Sequence, residues 1–101
     1  MKDPKTIPSM KELREQIDWL DRQIVEHLAY RLTLIDRAID LKPEEDMPAR
    51  IEERVEDVVA KVKAHAAQCN GDVELFEQLY RIMIEASIQR EERVLGTGDF
   101  E

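Results

Sequence analysis

Arg31 and Lys42 are cationic side chains set into an apolar stripe. Leu13, Ile17, Leu20, Ile24, Leu28, Ile35 and Ala38 recur at helical spacing, and Arg31 and Lys42 project onto the same face at about 100° per residue. Arg54 lies at the edge of a second stripe, between Ile51 and Val58. Ser87 and Glu91 stand one turn apart inside a third, made by Tyr80, Ile84 and Ile88. Arg14 flanks the first stripe, with Asp18 and Asp21 nearby. Each has an ordinary alternative. Arg14 can pair with Asp18, Arg54 can lay its stem on apolar surface with its head in water, Lys42 can be a C-terminal helix cation, and Glu91 can pair with an arginine. Taken together, cations aimed inward from several segments need counter-charges, because buried cations without partners are costly. A concave site for a small polyanion satisfies them.

Three helices must position these groups. The first runs from Ser9 to Lys42. Ser9 and Glu12 have the spacing of a capping box, and Pro43 disfavours continuation. Pro43 to Met47 is a short acidic connector. Pro48 suits the first turn of the second helix, with Asp46 or Met47 near its cap, and that helix runs to about Gln68. Ile51, Val55, Val58, Val59, Val62 and Ala66 share one of its faces. Asn70-Gly71 is a stop and turn. Asp72 caps the third helix, which carries Val73, Phe76, Leu79, Tyr80, Met83, Ile84 and Ile88 and extends to about Leu95. The fold class is all-α, one long helix and two shorter ones, in a single domain over residues 1–101. Its core covers about 9–95, with flexible tails at 1–8 and 96–101.

The first helix is too long for a compact monomer. Roughly 32 residues at 1.5 Å each span about 48 Å, against a diameter of roughly 35 Å for a globule of this size. A second chain covering the stripe as a two-fold dimer is the economical answer. Arg31 and Lys42 are about 16 Å apart along the axis, within the joint reach of two long side chains gripping a small dicarboxylate. Arg14 is roughly 25 Å from Arg31 on the same rod and cannot join that grip within one chain. An antiparallel partner helix would deliver it, giving composite sites with Arg14 donated by the partner subunit.

Composition removes several other classes. The net charge of −8, from 15 basic and 23 acidic residues, argues against nucleic acid and anionic membrane as partners. No apolar run approaches the length of a membrane span, and Met1–Pro8 has no apolar signal-peptide core. The single cysteine, Cys69, forms no intrachain disulfide framework and fits a reducing compartment. Cytoplasmic residence is the expectation.

Over roughly Lys11 to Leu95 the chain resembles the all-helical chorismate mutase family. The residues that carry the resemblance are Leu13-Arg14-x-x-Ile17-Asp18-x-x-Asp21, Arg31, Lys42, Arg54 and the stretch Ile84-Glu85-Ala86-Ser87-Ile88-Gln89-Arg90-Glu91. The resemblance implies an intertwined homodimer with two shared sites. It also implies the rearrangement of chorismate to prephenate in phenylalanine and tyrosine biosynthesis, with no cofactor, no metal and no covalent intermediate. By position, Arg14 of the partner subunit and Arg31 would bind the two carboxylates. Lys42 and Glu91 would flank the ether oxygen of the breaking C–O bond, Arg54 would add positive potential, and Ser87 would contact a carboxylate or the ring hydroxyl. Lys42, Glu91 and Arg31 are the catalytic candidates. A pericyclic reaction needs no nucleophile, so fixed cations that hold the folded conformer and meet growing negative charge suffice.

Two departures from the family pattern stand out. Many members have Gln where this chain has Glu91. An ionised carboxylate would repel the developing oxyanion, so Glu91 would have to act protonated. Many mutases also have Glu directly after the arginine of the second helix, where this chain has Val55. A related branch, the isochorismate-pyruvate lyases, lacks that Glu and releases pyruvate to leave salicylate. Lyase is therefore the alternative enzyme, with a mutase acting on an amino-substituted chorismate behind it. A non-catalytic helical dimerisation module is the alternative outside enzymes.

Overall fold

The computed structural model describes residues 3–97. Among them the chain is all-helical, with α1 at Met10–Leu41, α2 at Glu52–Gln68 and α3 at Val73–Leu95. The chain divides into two compact units, Met1–Leu34 and Ile35–Glu101. Of the expected flexible tails, residues 1–2 and 98–101 lie outside the described residues.

The described part of the N-terminal unit includes a short turn ahead of α1. Pro4–Thr6 form one turn of 3-10 helix. Pro4 presets φ for it, and the Asp3 side chain accepts from the Lys5 amide at 3.0 Å. Ser9 then caps α1 as its spacing predicts: Ser9 Oγ accepts from the Glu12 amide at 3.2 Å. No residue of α1 is buried in the chain, and Ile17, Leu20 and Ile24 of the apolar stripe remain 48, 42 and 46% exposed. Pro4, Ile7, Leu13, Ile17, Trp19 and Leu20 line an open apolar groove of about 450 Å³ at this end.

In the second unit α1 ends at Leu41, and Pro43–Glu45 form a 3-10 turn closed by Asp46 in the left-handed region (φ 56°). The second helix starts later than its proline suggests. Pro48 stays outside it, and α2 begins at Glu52 with Ile51 as an extended N-cap (φ −128°, ψ 100°). The first helical amides, those of Arg54 and Val55, donate to Ile51 O, and the Ala49 carbonyl accepts from Lys42 Nζ at 2.7 Å.

The α2–α3 turn follows the sequence closely. Asn70 takes the left-handed conformation (φ 55°). The Gly71 amide donates to Ala66 O at 2.7 Å and the Asn70 amide to Ala67 O at 3.2 Å, the paired bonds of a Schellman ending. Gly71 sits in a tight place: a Cβ there would stand 3.1 Å from Phe76 Cε2 and 3.3 Å from Ala66 O, so these neighbours would have to give by a few tenths of an ångström. Asp72 caps α3 through its bond from the Leu75 amide, 3.1 Å. The two helices then pack through Val59, Ile84 and Ile88, with Val55, Val58 and Tyr80 against them. Ion pairs lace the unit together outside that core. Arg81 grips both carboxylate oxygens of Glu56 at 3.0 Å each, and Arg90 grips both oxygens of Asp36 at 2.6 and 3.0 Å.

Candidate active site

Lys42 and Glu91 meet. Lys42 leaves the last turn of α1, and Glu91 sits on the core-facing side of α3 one turn beyond Ser87. Nζ of Lys42 stands 2.9 Å from Oε1 of Glu91, and the side chains are only 17 and 5% exposed. By distance this is a buried ion pair. Its angles fall outside hydrogen-bond geometry, and among the described residues Glu91 Oε1 accepts no hydrogen bond. The ammonium instead donates to the Ala49 carbonyl at 2.7 Å. A lysine ammonium has three N–H donors. With one on a backbone carbonyl, others remain for a ligand beside a carboxylate oxygen whose hydrogen-bonding capacity is unused. Buried polar atoms in that condition are uncommon and call for a functional reason.

Ser87 is buried at 4% exposure on the same side of α3, between Ile84 and Glu91. Arg54 lies on α2. It points along its own helix, with a 2.6 Å bond to Asp57 Oδ2 and a side chain 63% exposed. Lys61 donates to the same Asp57 oxygen at 2.9 Å. These two cations hold the Asp57 carboxyl below its ordinary range, the Lys61 bond contributing most.

Arg14 and Arg31 belong to the N-terminal unit. Arg31 is half-buried, and Arg14 is exposed without the ion pair to Asp18 that a surface arginine at this spacing could make. Seventeen residues of continuous helix separate them, about 25 Å of axial rise. One chain cannot close both on one small molecule.

Two participants went unseen in the sequence. Ala49 contributes a carbonyl, and backbone acceptors leave no trace in residue type. Arg50, next to it, reaches Glu85 Oε2 at 2.7 Å and lies 4.0 Å from Glu92 Oε1. The signal available was Glu85 and Glu92, seven residues apart on one face of α3 and able to bracket a cation. Among the described residues no group of three or more His, Cys, Asp and Glu side chains is placed to hold a metal ion. No helix among them is long and apolar enough to cross a membrane.

Among the described residues the chain is all-helical and sets a partly buried lysine beside a buried glutamate. The chain belongs to the chorismate mutase type II family, whose model matches residues 13–92. That span contains Arg14, Arg31, Lys42, Arg54, Ser87 and Glu91. At family level the chain is therefore a chorismate mutase type II domain. It is similar to the bifunctional chorismate mutase/prephenate dehydratase of Aquifex aeolicus (strain VF5), 28% identical over 88 residues. The match takes in 84% of this chain and 24% of the relative, so the chain spans about a quarter of the length of the curated relative it matches. No solved structure matches significantly.

Proposed function

We propose that this chain rearranges chorismate to prephenate, in a homodimer whose two sites each combine residues of both subunits. The observation that carries the reading is the buried Lys42–Glu91 contact inside a chain of this family. Lys42 stabilises the negative charge that grows on the ether oxygen as its bond to carbon breaks. Glu91 flanks the same oxygen. Arg31 and the partner subunit's Arg14 hold the two carboxylates, so that the substrate folds into the conformer in which the new C–C bond forms. Ser87 contacts a carboxylate or the ring hydroxyl. Arg54 contributes positive potential after turning from Asp57 toward the ligand. No cofactor or metal takes part, and neither nucleic acid nor membrane is a partner.

The dimer has support of its own. Among the described residues the buried apolar side chains are Ala49, Val59, Ala66, Ile84 and Ile88, three of them medium-sized and none fully shut off from solvent. Burying such a side chain contributes about 1.5–3 kcal/mol, which is little for a chain of this length. The exposed stripe of α1 is the reserve that a second copy would bury. One catalytic domain over about residues 9–95, working in the cytoplasm, completes the proposal.

Isochorismate-pyruvate lyase activity is the second reading, and Val55 favours it. Val55 packs against the Val59, Ile84 and Ile88 cluster, so the position following Arg54 supplies no polar group for a ring hydroxyl. Paired rates decide among the readings. Loss of chorismate absorbance with little salicylate fluorescence from isochorismate supports the mutase. The reverse makes the chain a lyase, and turnover of neither leaves a helical dimerisation module.

A further inference from the structure

Arg50 has no part in the chemistry described above, yet it sits beside the backbone carbonyl to which the Lys42 ammonium donates. The segment between Met47 and Ile51 has no regular structure. The Met47 amide is tied back to Lys42 O at 2.8 Å, and Ile51 O accepts the first amides of α2. Ala49, between those fixed points, is 3% exposed and presents its carbonyl to Lys42 Nζ. Arg50 follows it and reaches across to α3, where its guanidinium bonds Glu85 and approaches Glu92. Glu92 is the neighbour of Glu91. The helix that carries the carboxylate of the site thus also anchors the segment that holds the ammonium.

We propose that Arg50 is a positioning residue for Lys42: its clamp on Glu85 fixes the Ala49 carbonyl, and that carbonyl aims the ammonium. The proposal rests on Lys42 being the cation beside the reacting oxygen. A lysine ammonium is a point charge on a flexible four-carbon stem with three rotatable donors, and it has no planar geometry to orient itself. At this site one donor is spent on Ala49 O, and the nearby Glu91 oxygen biases the rest. Without the carbonyl the charge would remain but its direction would wander, and misplacement by about 1 Å can cost about 10²-fold in rate. The Arg50–Glu85 pair is also partly exposed, at 35 and 50% for the two side chains. Such pairs contribute little to global stability, so its effect is expected to be local.

The test follows the Lys42 ammonium directly and through turnover. Nitrogen-15 NMR of lysine side chains detects an ammonium whose protons are held by hydrogen bonds. The Lys42 signal is assigned by its loss in Lys42→Ala. Arg50→Ala is expected to broaden or remove it while the amide spectrum of α2 and α3 persists, and Arg50→Lys to restore part of it. On chorismate, Arg50→Ala is expected to lower kcat about tenfold with KM within about twofold. In a Lys42→Ala background it should lower kcat no further, because the group it aims is gone. Glu85→Gln keeps the side chain's size, removes its charge, and gives the same changes in smaller measure. An unchanged Lys42 signal in Arg50→Ala and Glu85→Gln overturns the proposal. So does an equal loss of kcat with and without Lys42. A wild type that converts neither chorismate nor isochorismate removes the functional reading instead, and the ammonium signal still decides whether Arg50 positions Lys42.

Discussion

Lys42 and Glu91 stand 2.9 Å apart, joining the end of α1 to α3 in a place where the carboxylate is 5% exposed and accepts no hydrogen bond among the described residues. The same two side chains would have to serve one oxygen of the substrate, and their charges make opposite demands on it. A cation stabilises negative charge growing there, and a carboxylate opposes it.

The first prediction concerns that opposition. Glu91→Gln replaces the carboxylate by a permanent donor of similar shape. It should raise kcat above that of the wild type at neutral pH, since one donor at a developing oxyanion is worth about 10²–10³ in kcat. Rates of the two proteins measured side by side on chorismate check it. A variant slower than the wild type counts against the role given to Glu91.

Removing the cation should be costly in two ways. Lys42→Ala is expected to lower kcat by about 10²–10³, the size of one lost oxyanion contact. It should also destabilise the fold, because stripping one partner from a buried ion pair costs about 3–5 kcal/mol by leaving the other charge uncompensated. The double variant Lys42→Ala/Glu91→Ala should then be more stable than Lys42→Ala alone. Urea midpoints of the three proteins check the order, and a double variant less stable than both singles would show that Glu91 is not an uncompensated charge.

Much of this arrangement was legible in the sequence. Ser9, Asp72 and Asn70-Gly71 marked helix ends through local chemistry, and each acts within a few residues of where its type predicts. The start of α2 was not legible. Pro48 is a good first-turn residue by local rules, but α2 begins at Glu52, and the Ala49 carbonyl next to Pro48 takes a tertiary bond from Lys42, seven residues away. Periodicity put Lys42, Ser87 and Glu91 on inward faces correctly. It could not say which cation Glu91 would meet, because pairing is set by the packing of α3 against the end of α1. Arg54 shows the limit of the method: a position at the edge of a stripe is free to turn either way, and Asp57, three residues on, turns it outward.

Acid should loosen the second unit. Arg90 holds the Asp36 carboxyl below its ordinary value, chiefly through the hydrogen bond between them, and Arg50 does the same for Glu85. Arg81 lowers both Glu56 and Glu77. A carboxyl whose value is depressed on folding stabilises the fold above its unfolded value and loses that contribution as pH falls toward the folded one. Ordinary values are 4.5 for Glu and 3.8 for Asp, so Tm should hold above that range and fall progressively below it. Arg81→Ala should lower Tm at neutral pH and make the acid loss shallower, because Glu56 and Glu77 then titrate closer to their unfolded values. Thermal scans from about pH 6 to about pH 3 check both, and an unchanged acid slope in Arg81→Ala would place the sensitivity elsewhere.

Shared sites make a prediction that no single-chain site can imitate. Arg14 and Arg31 are separated by about 25 Å of one helix, so in the proposed site the pair that grips a substrate comes from two chains. Arg14→Ala and Arg31→Ala should each be nearly inactive alone. Unfolded together and refolded as a mixture, they form mixed dimers in half of the pairings. In each mixed dimer one site takes intact Arg31 from one chain and intact Arg14 from the other, while the second site lacks both. Activity should therefore return to about a quarter of that of the same amount of wild type. Recovery also requires that the active species sediment as a dimer, and the return should vanish when both substitutions sit on one chain and that variant is mixed with itself. Two inactive variants that stay inactive after mixing, although mixed dimers are present, would remove Arg14 from the neighbouring subunit's site.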